Sequence, residues 1–188
     1  MKTGQIIIFS GPSGSGKTTL YKKVLKDPRF RDNLFKITTV TTRSPREGEH
    51  SGKDYIFISR QQFFHKKRSG YFLESQKVFD NYYGTPKNGV KKILRAGKNV
   101  LLCIDVKGAK TVSRLLPEAV KIFIKAPSLS VLKKRIQKRG VANKKDLNLR
   151  LKIAREELKE VKNYHHVVLN DNLNHCYKKL KAILKKYL

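Results

Sequence analysis

The eight residues Gly11-Pro12-Ser13-Gly14-Ser15-Gly16-Lys17-Thr18 constrain this chain more than any other stretch. They fit G-x-x-x-x-G-K-[ST], a pattern in which glycines let the backbone curl until successive N–H groups point into one concavity. In that arrangement Lys17 supplies a point charge for β- and γ-phosphates, and the Thr18 hydroxyl is placed to ligate Mg²⁺. The pattern has chemical meaning only between a strand and a helix. Gln5 to Ser10 (QIIIFS) is continuously apolar, as in a strand covered on both faces, and the segment beginning near Thr18 carries Leu20, Val24 and Leu25 on one side until Asp27-Pro28 stops it. A helix N-terminus behind the loop adds partial positive charge. A nucleoside triphosphate site is therefore expected on Gly11 to Thr18, with Thr19 beside it.

The rest of the chain keeps the same alternation. Lys36 to Thr42 (KITTVTT) is rich in β-branched residues and reads as a strand. Lys87 to Ala96 reads as a helix ended by Gly97, and Val100 to Asp105 (VLLCID) as a second buried strand. Val106 to Leu116 is a helix stopped by Pro117, and Val120 to Ala126 (VKIFIKA) is a third apolar strand. Ser128 to about Leu158 has a helical pattern broken at Arg139-Gly140, Val167 to Asn170 is a short last strand, and Leu173, Tyr177, Leu180 and Leu184 mark the core face of a C-terminal helix. Strands alternating with helices predict a parallel α/β sheet. The segment from Arg43 to about Asn88 does not fit: its apolar runs are short and it is full of Arg, Glu, Tyr, Gly and Lys, which predicts an inserted lobe with its own small sheet.

At 188 residues and 39% hydrophobic content, the chain can bury one core. No apolar run approaches the ~20 residues of a membrane span. The short apolar run at the start leads into the phosphate loop, which argues against a cleaved signal peptide and for a cytoplasmic protein. Cys103 and Cys176 match no metal or redox spacing and read as buried or free thiols. The net charge of +29, from 43 Lys+Arg against 14 Asp+Glu, would attract any polyanion. Those charges are spread along the whole chain, with no aromatic platform or zinc finger beside them, so they read as a solvated surface rather than a nucleic-acid site.

The acceptor of the phosphate is written in the inserted segment. Arg43 and Arg46 flank Pro45 in TTRSPREGE, and GKDYIF with Tyr55 follows. Arginine's planar fork suits bidentate phosphate binding, and a tyrosine hydroxyl adds one hydrogen bond. With Asn81-Tyr82-Tyr83-Gly84-Thr85 further on, these residues look like a clamp for a monophosphate.

In these motifs the chain resembles the guanylate kinases, the nucleoside monophosphate kinases that convert GMP and ATP to GDP and ADP. The likeness runs nearly end to end, through GPSGSGKTTL, TTRSPREGE, GKDYIF, FLES, NYYGT, KRG and LND. It implies an α/β fold: a three-layer parallel-sheet P-loop kinase core (1–37, 89–128 and 156–188), an inserted mixed α/β GMP-binding lobe (38–88) and a helical lid (129–155). It further implies that Arg43, Arg46, Tyr55 and Tyr83, with Glu49 in the same site, hold the GMP phosphate, and that Glu74, Thr39 and Thr85 read the base. The chemistry agrees, because one carboxylate can accept from both guanine N1–H and the N2 amine while threonine hydroxyls serve O6. Sites built on such bonds discriminate by about 10⁴-fold or more. Arg135, Arg139 and Arg150 would be lid arginines acting with Lys17 on the transferred phosphoryl group, and Asn170 would touch the adenine ring. Lys133, Lys134 and Lys138 read as a solvated face.

Two positions depart from the family pattern. Where many relatives carry D-I-D or E-I-E followed by x-Q-G, this chain reads Cys103-Ile104-Asp105-Val106-Lys107-Gly108, leaving Asp105 as the single acid for Mg²⁺ or substrate, with Lys107 near it or near phosphate. The usual glycine before N-Y-Y-G is Asp80, a stiffer turn residue. The implied cofactor is Mg²⁺ with ATP, and the implied partners are ATP, GMP and dGMP in a monomer or homodimer, with no obligate nucleic acid and no membrane. The rival readings are a protein-binding module of this fold that has lost catalysis, an ATPase that binds nucleic acid, and a kinase with a different acceptor.

Overall fold

Apolar β-branched runs that alternate with amphipathic helices can bury both faces of a sheet only if the strands run parallel. The computed structural model describes residues 4–138 and 143–188. In chain order the core begins with β1 (Ile6–Ser10), α1 (Lys17–Lys26), a short α2 (Pro28–Arg31) and β2 (Leu34–Lys36). The lobe follows as β3 (Val40–Thr41), β4 (Ile56–Phe57), α3 (Arg60–Arg68), β5 (Phe72–Val78) and β6 (Asn81–Pro86). The core resumes with α4 (Lys87–Arg95), β7 (Asn99–Cys103), α5 (Val106–Leu115) and β8 (Val120–Lys125), continues through α6 (Leu129–Gln137) and α7 (Lys144–Lys159), and ends with β9 (His166–Leu169) and α8 (Leu173–Leu184).

The core sheet has strand order β2-β7-β1-β8-β9 with every pairing parallel. Its central strand β1 is buried throughout, and alternate side chains serve opposite layers. Ile7 and Phe9 pack with Leu20 and Val24 of α1 and Leu180 and Leu184 of α8. Ile6 and Ile8 pack with Val90 of α4 and Ala109 and Val112 of α5. The result is three layers, and the C-terminal edge of the sheet is where β1 opens into the phosphate loop and β7 into Asp105. The second sheet, β4-β3-β6-β5, is mixed: β3 and β4 are parallel, while β6 pairs antiparallel with both β3 and β5.

Three expectations need correction. The run Lys36 to Thr42 is not one strand: its start ends β2 in the core sheet, and Val40–Thr41 joins the lobe sheet against Ile56–Phe57 and Tyr83–Gly84. β-Branching favours extended backbone and is silent about the partner strand. The strand expected to reach Asp105 stops at Cys103, because the Asp105 carboxylate accepts from the Gly108 N–H at 2.6 Å and caps α5. Leu173 is 39% exposed while Leu180 and Leu184 are fully buried, Leu173 being the first helical residue after the Asn172 cap. The break expected at Arg139-Gly140 lies outside the described residues, between the end of α6 and the start of α7.

Candidate active site

One cleft of about 410 Å³ receives residues from both sheets and from α7. On the donor side the phosphate loop turns through Gly11, Gly14 and Gly16, all at positive φ. Two of these positions exclude any side chain for a second reason. A Cβ on Gly11 would sit 2.3 Å from the Ile124 carbonyl oxygen, and one on Gly16 would sit 2.0 Å from Asn170 Nδ2. The Lys17 ammonium donates to the Gly11 and Pro12 carbonyls, the second at 3.0 Å, so it rests on the loop it will serve. Gly11, Ser13, Gly14, Gly16, Thr18 and Thr19 line the cleft. Ser15 is buried under the loop, with its backbone N–H on the Pro12 carbonyl at 3.1 Å.

Asn170 does not line the cleft wall. It is buried, and its amide donates to the Ser15 carbonyl at 2.7 Å. Arg135 donates to the Asn170 carbonyl at 3.1 Å and reaches the Gly14 carbonyl at 3.5 Å. Both residues therefore brace the loop from outside. Arg139 lies outside the described residues. Arg150 reaches the cleft from α7, its guanidinium 4.2 Å from the ring centre of Phe79.

The acceptor side is built on the lobe sheet. Arg43 makes a two-pronged contact with Glu49, at 2.9 and 2.8 Å, and its guanidinium lies 5.4 Å from the Tyr55 ring centre. Glu49 also accepts from the Arg46 backbone N–H at 2.9 Å, which closes the loop into a clamp. Tyr55 and Tyr83 meet edge to face at 6.1 Å, and burial pushes the Tyr55 hydroxyl upward, so it stays a donor. Deeper in, Glu74 and Thr85 are both buried, and the Thr85 hydroxyl donates to Glu74 Oε1 at 2.6 Å. Burial pushes the Glu74 carboxyl up to about 7, with the Thr85 bond opposing and the nearby Asp105 adding to the rise. Thr39 lines the same end. Thr85 does not line the cleft, so its hydroxyl acts through Glu74.

Several residues here had no signal in the sequence reading. Glu157 and Ile153 line the cleft with Arg150, and the spacing 150, 153, 157 puts all three on one face of α7. Burial raises the Glu157 carboxyl, and Lys17 is the charge that most opposes the rise. Lys36 is held under the cleft over the Tyr21 ring at 5.2 Å, and burial lowers its ammonium. Asp54 pairs with Lys22 at 2.7 Å, fastening the lobe to α1. Cys103, a free thiol, lines the wall where an acid was the family expectation, and burial pushes its thiol up. Asp54 and Cys103 lie in motifs the sequence already singled out; Glu157, Ile153 and Lys36 gain meaning only from what the fold sets beside them.

Among the described residues no group of three or more His, Cys, Asp or Glu forms a metal cage. Mg²⁺ does not require one, because it keeps waters and binds through one or two protein oxygens plus substrate phosphates. Thr18 and Asp105 both present oxygen to the cleft, so the donor set has the right chemistry. No helix among the described residues is long and apolar enough to cross a membrane.

A phosphate loop facing an arginine–glutamate clamp and a buried Glu74–Thr85 pair across one cleft is the layout of a P-loop phosphotransferase. The model of the family described as guanylate kinase matches residues 3–187. The guanylate kinase of Clostridium tetani is 42% identical over 98% of this chain and 86% of its own length, and that of Caldanaerobacter subterraneus is 43% identical over 97% and 87%. A crystal structure of guanylate kinase from Anaplasma phagocytophilum superposes with a TM-score of 0.81 at 30% identity, covering 99% of this chain and 87% of that one. The chain belongs to the guanylate kinase family, and it is an enzyme of the ATP:GMP phosphotransferase class.

Proposed function

We propose that this chain moves the γ-phosphoryl group of Mg·ATP directly to GMP, and to dGMP, with the phosphate loop as donor site and residues 38–88 as acceptor lobe. The observation that carries the acceptor is the buried Glu74–Thr85 pair beside Asp105, within the same cleft as Lys17. Ionised Glu74 accepts from guanine N1–H and N2–H, with Asp105 close enough to share the amine. Adenine presents an unprotonated N1 there and leaves the carboxylate unpaired. Thr39 serves the rim of the base.

Arg43, Arg46, Tyr55 and Tyr83 hold the GMP phosphate, and Glu49 keeps Arg43 aligned. Lys17 exchanges its loop carbonyls for the β- and γ-phosphate oxygens. The lid, taken as 129–155, brings Arg139 and Arg150 toward the transferred group, and Arg135 joins them by leaving the Gly14 and Asn170 carbonyls it holds here; the group's charge is spread over its three equatorial oxygens, and closure also excludes water. Thr18, with Asp105 nearby, would hold Mg²⁺ together with the substrate phosphates, and the ion would supply positive charge against that developing on the transferred group. No general base is required, because the attacking phosphate oxygen is already anionic. Asn170 supports adenine binding through the loop it braces. This reading takes the enzyme as a monomer or a homodimer working in the cytoplasm.

Two measurements test this reading. Lys17→Ala should lower turnover by about 10²- to 10³-fold or more while leaving the melting temperature nearly unchanged. An ADP-release assay with GMP, dGMP, AMP, UMP and no acceptor should show activity with the two guanine nucleotides alone; equal rates with AMP would overturn the base-reading assignment.

A further inference from the structure

The turn between β5 and β6 is two residues long, Phe79-Asp80, closed by the pairing of Val78 with Asn81. Phe79 has φ 55°, and it is the sole non-glycine residue with positive φ among those described. Left-handed backbone is disfavoured for a side chain with a Cβ, and glycine or asparagine would hold the same turn with less strain. The turn is anchored without the ring, since Arg60 Nη2 donates to the Asp80 carbonyl at 2.7 Å. An aromatic ring at this position therefore calls for a role outside the turn.

The ring's partner is Arg150. The guanidinium carbon lies 4.2 Å from the Phe79 ring centre, well inside the roughly 6 Å range of a cation–π contact. Arg150 is otherwise loosely held. Its nearest carboxylate, Asp146, is 3.8 Å away and half-exposed, and its Nε is buried with no hydrogen-bond partner among the described residues. Stacking occupies the face of a guanidinium and leaves its in-plane donors available. Both side chains line the cleft, Phe79 with Gln76, Val78 and Asn81 from the acceptor hairpin, and Arg150 with Ile153 and Glu157 from α7.

We infer that Phe79 is a positioning residue for phosphoryl transfer. Its ring holds the Arg150 guanidinium against the acceptor hairpin at the cleft wall, so that the arginine moves with the lobe that binds GMP. Filling the acceptor site then delivers Arg150 to the transferred group, and an empty lobe leaves it stacked away from ATP. This rests on the assignment of Arg150 to the phosphoryl group made above.

The test is a mutant cycle read in steady-state kinetics. Phe79→Asn, which suits the left-handed turn and removes the ring, should keep or raise the melting temperature and lower kcat by about tenfold, with KM for ATP and for GMP changed less than threefold. Phe79→Tyr should restore kcat, and Phe79→Leu, which keeps apolar bulk without a π-face, should not. In Arg150→Ala the further change Phe79→Asn should cost nothing, because the ring acts only through the arginine. A slow Arg150→Ala enzyme beside a Phe79→Asn enzyme of normal kcat, or full additivity of the two losses, would overturn the positioning role alone. A fully active Arg150→Ala enzyme would overturn both that role and the arginine's own assignment.

Discussion

Glu74, the carboxylate proposed to read guanine, would have to be ionised to do so, yet it sits where burial favours its neutral form. With its value raised to about 7, Glu74 takes a proton in the free protein as pH falls below neutrality, and a protonated carboxyl cannot accept from two guanine donors at once. KM for GMP should therefore rise as pH falls from 8 to 6, with kcat at saturating GMP changing less, in initial-rate measurements at each pH. The same shift has a stability side. Because the folded-state value lies above the ordinary 4.5, the stability the neutral form contributes is fully present below about 4.5 and is lost as pH rises through about 7. Glu74→Gln should thus raise the melting temperature at pH 8, leave it nearly unchanged at pH 4.5, and lower kcat/KM for GMP by about 10²- to 10⁴-fold. Equal melting temperatures at pH 8 would contradict the burial account. Gly108 belongs to this residue-scale picture too: a Cβ there would stand 2.9 Å from Glu74 Oε2, so Gly108→Ala should weaken GMP binding and spare ATP.

At the scale of elements, the end of β9 and the lid helix α6 meet over the phosphate loop. Asn170 and Arg135 together hold the carbonyls of Ser15 and Gly14 from outside the cleft. Asn170→Ala removes a buried donor and unties that brace, so KM for ATP should rise about tenfold while KM for GMP stays within about twofold. The adenine contact expected for Asn170 and the brace observed are both tied to the donor site, but sequence could point only to the residue. The parallel core was legible because the strands at Ile6, Val100 and Val120 are mainly apolar runs, the third broken only at Lys121 before its end. The division of Lys36 to Thr42 between two sheets was not, since Ile37 to Thr39 carry the same β-branched chemistry as Val40 and Thr41 that follow them. The residues proposed for the acceptor were readable as motifs of arginine, tyrosine and glutamate, which the fold brings to one cleft. Glu157 and Phe79 were not, because a glutamate late in a helix and a phenylalanine in a turn acquire roles only from Lys17 and Arg150 facing them.

For the molecule as a whole, a net charge of +29 on a protein with anionic substrates sets a background field. Exposed charges are screened beyond about 8 to 10 Å at physiological salt, so the field speeds encounter more than it deepens binding. Raising sodium chloride from 50 to 500 mM should raise KM for both nucleotides, with kcat affected less; an unchanged KM across that range would assign recognition to the cleft alone. The way the two sheets are joined has another implication. The chain leaves the core after Lys36 and re-enters it at Lys87, and the two ends of the excursion lie side by side, because Val40 pairs with Gly84. The proposed acceptor lobe is therefore a single contiguous insert in one crossover of an otherwise unbroken parallel sheet, with Asp105 and Gly108 of the core reaching its base site. A gene with this layout can change what is phosphorylated by rewriting one stretch of its length, leaving the strand order and the ATP site as they were.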